Sequence, residues 1–237
     1  MKKKISIIIP IYNESDSIFK LIDEIYRVLS KKDFEILVVN DGSNDSFLKT
    51  FKPIEKGKKL LRCISHKKNI GKSAAMLTGV KNADNDLVCI LDGDGQNPPS
   101  EILKMLEMWY KQNKKEFLII CGNRIKRQDT LIKRFSSKTA NFIREKILKD
   151  GCKDSACALK IFRKKDYLRI PYFKNVHRFL PAIFKAFNGN IINIPVIDRK
   201  REYGISKFNF HNRFWIGIID LIKVWYLINI KKEKFKC

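Results

Sequence analysis

Acidic and amide side chains follow three apolar runs of this sequence, with a spacing that suits cation binding beside a phosphate group. Tyr12-Asn13-Glu14 follows the first run, Asn40-Asp41 follows the second, and a D-G-D-G-Q segment at 92–96 follows a later one. Unpaired carboxylates at one place repel one another, so they need a cationic or hydrogen-bonding ligand. The D-x-D spacing of Asp92 and Asp94 lets two carboxylates flank Mg²⁺ or Mn²⁺, which prefer oxygen ligands. Taken alone, the spacing also fits an Asp- and Gly-rich turn that ends a strand.

The apolar runs before these residues alternate with helical patterns, which is typical of a mainly parallel α/β sheet covered on both faces. We predict strands at 4–10, 34–39, 60–64, 87–91 and 117–121 and helices at 15–29, 71–81 and 99–110, the first helix capped by Ser15. Ligands of such sheets bind at the carboxyl ends of the strands. The polar residues that directly follow strands are therefore the candidates for a binding site.

The second half of the chain has a less regular pattern. We predict helices at 131–148 and 179–187, strands at 156–162 and 191–197, a basic turn at 199–207 and a terminal amphipathic helix from 214. No repeat or long linker interrupts the sequence, so we expect one compact unit at 1–213, with 214–237 as an appended segment.

The charge of the chain predicts a polyanionic partner. Among 237 residues, 49 Lys and Arg outnumber 25 Asp and Glu, for a net charge of +24. Nucleic acid, an anionic membrane surface and phosphorylated substrates all fit this excess, and so does a bias toward lysine codons. The six cysteines form no C-x-x-C pair, and the apolar run after Met1 is too short for a signal peptide. A cytoplasmic location is the simplest interpretation.

The apolar segment 214–230 predicts a helix at the membrane surface. It is shorter than the roughly 20 residues that a membrane span needs, and it contains Asp220 and Lys223. Trp225 and Tyr226, followed by two lysines, suit the headgroup region of a bilayer. The alternative is an amphipathic helix packed on the protein core. We expect no membrane span in either case.

Eight short motifs, in order along nearly the whole chain, resemble family 2 glycosyltransferases. The first half has P-I-Y-N-E at 10–14, N-D-G-S at 40–43, N-I-G-K-S-A-A at 69–75 and L-D-G-D-G-Q-N-P-P at 91–99. The second half has G-N-R at 122–124, R-F-S-S-K-T-A-N at 134–141, H-R-F-L-P-A at 177–182 and R-E-Y-G-I-S-K at 201–207. These four look like the dolichyl-phosphate mannosyltransferase branch, whose members glycosylate polyprenyl phosphates.

The resemblance implies a nucleotide-diphospho-sugar transferase fold and an inverting transfer that depends on Mg²⁺ or Mn²⁺. It also implies that 1–213 is the catalytic domain, with a nucleotide-sugar half at about 1–125 and an acceptor half at about 126–213. A UDP- or GDP-sugar would be the donor and a dolichyl- or undecaprenyl-type phosphate the acceptor, at the cytoplasmic face of the membrane. The donor would be bound by Pro10, Tyr12, Asn13, Glu14, Val39, Asp41, Lys72, Asp92 and Gly93. The metal would be held by Asp92, Asp94 and Gln96. The catalytic residues would be Asp94, Arg124, Arg201 and Lys207. The acceptor phosphate would be bound by Arg134, Ser137 and Lys138.

The sequence departs from the family pattern at two places. Asn40 stands where a second aspartate is common, and Asp154 is followed by Ser155 where relatives often have a glycine. The second departure leaves the approach of backbone and sugar there open. Two rival functions also remain at this point. One is transfer to a glycan or other non-prenyl acceptor. The other is nucleic-acid binding, which leaves the acidic groups unexplained; we expect no nucleic-acid partner.

Overall fold

Seven strands form one sheet in the computed structural model, which describes residues 4–112, 116–125, 131–200 and 210–230. For 131–138, 140 and 210–216 it describes the backbone alone. The strands are β1 (Lys4–Ile11), β2 (Asp33–Asn40), β3 (Leu61–Ser65), β4 (Leu87–Ile90), β5 (Leu118–Ile125), β6 (Lys160–Arg163) and β7 (Asn190–Ile197). The helices are α1 (Ser15–Val28), α2 (Phe47–Gly57), α3 (Lys72–Asn82), α4 (Ser100–Lys111), α5 (Leu131–Leu148), α6 (Lys164–Arg169), α7 (Leu180–Ala186) and α8 (Phe210–Asn229), with a 3₁₀ turn at Val176–Arg178.

The strand order is β3-β2-β1-β4-β6-β5-β7. All neighbouring pairs are parallel except those of β6, which runs antiparallel to both β4 and β5. The predicted mainly parallel sheet is therefore confirmed. Successive side chains of a strand point to opposite faces, and β1 buries apolar residues on both. Ile7 packs in the cluster that contains α1 and α4, and Ile8 packs in the one that contains α3 and α7.

Two local predictions were wrong, and the helices α2 and α6 were not predicted. Helix α2 contains Pro53, which cannot donate a helical hydrogen bond. The predicted strand 156–162 begins only at Lys160, because the chain before it forms a turn around Ser155. Ser15 does not cap α1: it is the first helical residue, and Glu14 stands at the N-cap with no side-chain hydrogen bond.

The helix α8 packs on the core with one face and exposes apolar residues on another. Leu221 and Val224 are buried in the same cluster as α7, and Asp220 accepts a 2.9 Å hydrogen bond from Asn175. The exposed apolar side chains are Ile219, Ile222, Trp225, Tyr226 and Ile230. Within the described part of the chain, no helix combines the length and hydropathy needed to cross a bilayer.

Candidate functional site

The strand order brings the three predicted polar segments to one edge of the sheet. β1 lies between β2 and β4, and all three strands run in the same direction. The backbone N–H of Asp41 donates a 2.9 Å hydrogen bond to Ile11 O, and that of Leu91 donates a 3.0 Å bond to Ile8 O. The residues that follow β1, β2 and β4 therefore emerge beside one another, where the sequence predicted a site.

Hydrogen bonds tie the loops of this edge together. The N–H of Asn13 donates to Ser43 Oγ at 2.9 Å, and Asn44 N–H donates to Asn13 Oδ1 at 2.9 Å. Asn13 adopts φ 52°, a left-handed conformation that asparagine tolerates better than most residues. Ser17 Oγ donates a 2.7 Å hydrogen bond to Gly93 O, which joins α1 to the loop after β4. These hydrogen bonds fix the loops after β1, β2 and β4 relative to one another.

Asp41 holds the segment that leads into α3. Its carboxylate accepts hydrogen bonds from His66 Nδ1 at 2.8 Å, Ile70 N–H at 3.0 Å and Gly71 N–H at 2.8 Å. Only 4% of the Asp41 side chain is exposed. Gly42 packs against the backbone of Lys68 at φ +69°, so a side chain there would collide with the same segment. The N-D-G-S motif therefore has a structural role in addition to its predicted contact with the donor.

Lys72 and Asp92 form an ion pair between α3 and the loop after β4. Each side chain is 33% exposed, so both remain accessible to a ligand. Asp94 Oδ1 accepts a 3.1 Å hydrogen bond from Gln96 N–H within the same loop. Among the residues that the structure describes, no three or more His, Cys, Asp or Glu side chains are placed to share a metal ion. The predicted metal site would thus take its remaining ligands from elsewhere.

The loop after β7 contacts the loop after β4 that contains Asp92 and Asp94 (residues 92–96, the D-x-D loop). Arg199 N–H donates a 2.8 Å hydrogen bond to Gln96 O, and Gln96 Nε2 donates to Arg199 O at 3.3 Å. The guanidinium of Arg199 is paired with both carboxylate oxygens of Glu24. Arg199 thus positions the chain two residues before Arg201. The predicted catalytic residues Arg201 and Lys207 lie outside the described residues.

Arg124 has a partner that sequence reasoning did not identify. Its Nε and Nη2 donate to the two carboxylate oxygens of Asp154 at 2.7 and 3.0 Å. Their side chains are 15% and 5% exposed, respectively. Burial lowers the pKa of the guanidinium, but the hydrogen bonds and charge of Asp154 outweigh it and raise that pKa above its ordinary value. No sequence signal joins these residues, since β5 and the turn that holds Asp154 are separated by α5.

The other predicted residues fall into two groups. Pro10 and Val39 face each other across β1 and β2, and both are buried, while Tyr12 and Glu14 are half-buried at the strand end. Arg134, Ser137 and Lys138 lie on α5, in the part where the side chains are outside the described set. His177, the first residue of the H-R-F-L-P-A motif, hydrogen bonds through Nδ1 to Ser73 Oγ at 2.7 Å. It therefore braces the first turn of α3.

Comparison with known proteins identifies a family and several relatives. The family model described as glycosyl transferase family 2 matches residues 6–170. Dodecaprenyl-phosphate galacturonate synthase of Rhizobium johnstonii is 29% identical over 96% of this chain and 68% of its own length. Undecaprenyl-phosphate 4-deoxy-4-formamido-L-arabinose transferase of Pectobacterium atrosepticum is 31% identical over 88% of this chain and 63% of its own length. The chain thus spans about two thirds of the length of these relatives.

Solved structures confirm the predicted fold. Glucosyl-3-phosphoglycerate synthase of Mycobacterium tuberculosis, crystallised with Mn²⁺, UDP and glucosyl-3-phosphoglycerate, matches with a TM-score of 0.70 and 15% identity. The match covers 95% of this chain and 80% of that one. Mannosyl-3-phosphoglycerate synthase of Rubrobacter xylanophilus matches with a TM-score of 0.67 and 14% identity over 94% and 74% of the two chains. The sheet therefore has the fold of nucleotide-sugar transferases.

Proposed function

The chain belongs to glycosyl transferase family 2, and from this premise we propose that it transfers a sugar from a UDP- or GDP-sugar to a polyprenyl phosphate, with inversion at the anomeric carbon. The observation that carries the proposal is the convergence of Glu14, Asp41, Asp92 and Asp94 at the carboxyl ends of three adjacent strands. The acceptor class rests on the two relatives above, whose names both specify a polyprenyl phosphate. They match 96% and 88% of this chain, acceptor half included.

The oxygen donors of the D-x-D loop fit a hard divalent cation. Asp92 and Asp94 are half-buried at the end of β4, and Gln96 uses its Nε2 on Arg199, which leaves its Oε1 toward a ligand. Mg²⁺ typically takes one or two carboxylates and fills its coordination with substrate phosphates and water. Asp92, Asp94 and Gln96 would hold such a cation, which would supply positive charge beside the leaving diphosphate. The ammonium of Lys72, already paired with Asp92, adds positive charge at the same place.

The acceptor half needs cationic side chains more than a general base. A phosphate monoester has a second pKa of about 6, so the acceptor is already a nucleophilic dianion at neutral pH. We propose that Arg124, Arg134, Lys138, Arg201 and Lys207 hold the two anions together. Asp154 engages Nε and Nη2 of Arg124, and no described group hydrogen bonds to Nη1. The two N–H groups of Nη1 and the second N–H of Nη2 can therefore donate to phosphate oxygens, since arginine suits phosphate contacts.

The test of this function is a transfer assay in detergent with undecaprenyl phosphate and a panel of radiolabelled UDP- and GDP-sugars. The expected result is label that enters the organic phase only with one class of donor, only with the lipid phosphate and only with a divalent cation. Dephosphorylated undecaprenol serves as the acceptor control. Label that stays in the aqueous phase with the lipid, but is transferred to a soluble glycan, would refute the lipid acceptor while leaving the family membership unchanged.

We further propose that the exposed apolar face of α8 binds the anionic cytoplasmic membrane surface that presents the lipid. Replacing Ile222 and Trp225 together with serine is expected to reduce binding to anionic vesicles by tenfold or more. Burying a large apolar side chain contributes about 1.5–3 kcal/mol, and these side chains are 61% and 42% exposed. Sedimentation with vesicles measures the effect. The matched control replaces Leu48 and Leu168, which are 38% and 42% exposed on α2 and α6; equal loss in both variants would contradict the assignment.

A further inference from the structure

A second candidate site lies at the amino ends of β5 and β7, whereas the D-x-D loop follows the carboxyl end of β4. A cavity of about 640 Å³ opens there beside Leu118 and Asn190, the first residues of β5 and β7. The end of α4, the turn after α5 and the helix α7 complete its wall. The polar side chains of the lining belong to Lys111, Gln112, Lys149, Asp150, Lys185 and Asn190.

Three lysines give this cavity its charge. Lys111, Lys149 and Lys185 come from three separate elements, and within the described part of the chain none of them forms an ion pair with a carboxylate. The one carboxylate of the lining, Asp150, is 1% exposed and lies 3.3 Å from Nη1 of the buried Arg144. The charges of Arg144 and Asp150 cancel, so the three lysine ammonium groups make the charge of the cavity positive. Ammonium groups gathered without counterions favour a bound anion.

The size of the cavity and its amides indicate more than an inorganic anion. Pockets of about 300–1,000 Å³ hold organic ligands of ordinary size, and this one falls within that range. The Asn190 amide can both donate to and accept from hydroxyl groups, and Gln112, whose Nε2 is bonded to Met108, can accept through its Oε1. We infer that this cavity binds a hydroxyl-bearing organic phosphate, of the sugar-phosphate class, at a site separate from the donor site.

The cavity is connected to the predicted catalytic arginine by a short stretch of chain. Asp150 and Gly151 form part of its wall, and Asp154, three residues beyond Gly151, holds Arg124. The hydrogen bond from Cys152 N–H to Asp150 Oδ1, at 2.9 Å, fixes the intervening turn. A ligand in this cavity would thus contact the segment that positions Arg124, while lying outside the machinery of transfer.

The test is isothermal titration of the full-length protein with glucose 6-phosphate, inorganic phosphate and glucose. We expect glucose 6-phosphate to bind more tightly than phosphate, glucose to give no binding, and saturating UDP with Mn²⁺ to leave the affinity within twofold. The double variant Lys149→Gln with Lys185→Gln is expected to weaken binding at least tenfold. A matched control, Lys49→Gln with Lys52→Gln on α2, removes the same charge from exposed positions and is expected to bind like the wild type.

Several results would overturn the inference. Competition by UDP would place the ligand in the donor site. Equal affinities of the cavity variant and the α2 control would show that the cavity lysines do not bind the ligand. Phosphate that binds as tightly as glucose 6-phosphate would exclude a role for the amides. Thermal unfolding verifies that the cavity variant is folded, and Lys111→Gln with Lys185→Gln repeats the test if it is not. None of these outcomes depends on the transfer reaction, so failure here is distinguishable from failure of the proposed function.

Discussion

Replacing Asp94 with asparagine is expected to lower the rate of sugar transfer by at least a hundredfold while the protein stays folded. The substitution removes a carboxylate from the D-x-D loop but keeps an oxygen that can accept the hydrogen bond from Gln96 N–H. Removing one group that stabilises developing charge costs about a hundredfold to a thousandfold in well-studied enzymes. The measurement is kcat/KM across a titration of Mn²⁺, with thermal unfolding as the check on folding.

The control for Asp94 is an acidic residue of similar size on the surface. Asp23→Asn removes an exposed carboxylate that pairs with Lys58, with 68% of its side chain in solvent. It is expected to leave kcat/KM within twofold, because exposed ion pairs contribute little. Wild-type turnover in the Asp94 variant, at every metal concentration, would remove Asp94 from the proposed metal site.

Replacing Asp154 with alanine is expected to destabilise the fold by about 3 kcal/mol or more, because removing one partner of a buried ion pair leaves the other charge unpaired. The side chain of Arg124 is 15% exposed and loses both of its hydrogen bonds to the Asp154 carboxylate. Urea unfolding measures the change. Transfer is expected to fall as well, since the carboxylate sets the orientation of the guanidinium.

A double-mutant cycle separates the pair from its surroundings. The double variant Asp154→Ala with Arg124→Met is expected to lose less free energy of unfolding than the two single variants lose together. The difference should be about 1.5 kcal/mol or more, since contacting residues are coupled. Asp84→Ala is the matched control. The side chains of Arg62 and Asp84 are 44% and 72% exposed. Losing this exposed ion pair is therefore expected to lower the free energy of unfolding by about 0.5 kcal/mol. Equal losses at the two pairs would contradict a special role for the Arg124 pair.

The general architecture was predictable because its signals are local. The parallel strands of the first half are apolar runs ended by polar residues, and the three helices predicted there have 14, 11 and 12 residues. The antiparallel insertion of β6 between β4 and β5 was not predictable. Its four residues pair with strands about forty and seventy positions earlier in the chain, and no local pattern specifies that register. Helix α2 was missed because Pro53 lies inside it, and proline disfavours the interior of a helix.

The candidate site was predictable to the same extent. The D-x-D loop is a contiguous motif, so its place after β4 follows from the strand prediction. The hydrogen bonds of Asp41 to Ile70 and Gly71, and those of Arg124 to Asp154, join residues about thirty positions apart. Such pairs depend on how the sheet is ordered, which the sequence does not state. The roles of the individual site residues therefore stay predictions until variants are measured.

The donor site is the claim on which the account depends, and ligand-induced stabilisation tests it most directly. The measurement is the thermal stability of the purified protein with a panel of UDP- and GDP-sugars, with and without Mn²⁺. At a ligand concentration one hundred times the dissociation constant, the free energy of unfolding is expected to rise by about 2.7 kcal/mol. The rise should occur with the sugars of one nucleotide and only when the cation is present. No rise with any donor, in protein shown to be folded, would contradict a nucleotide-sugar site at this edge of the sheet.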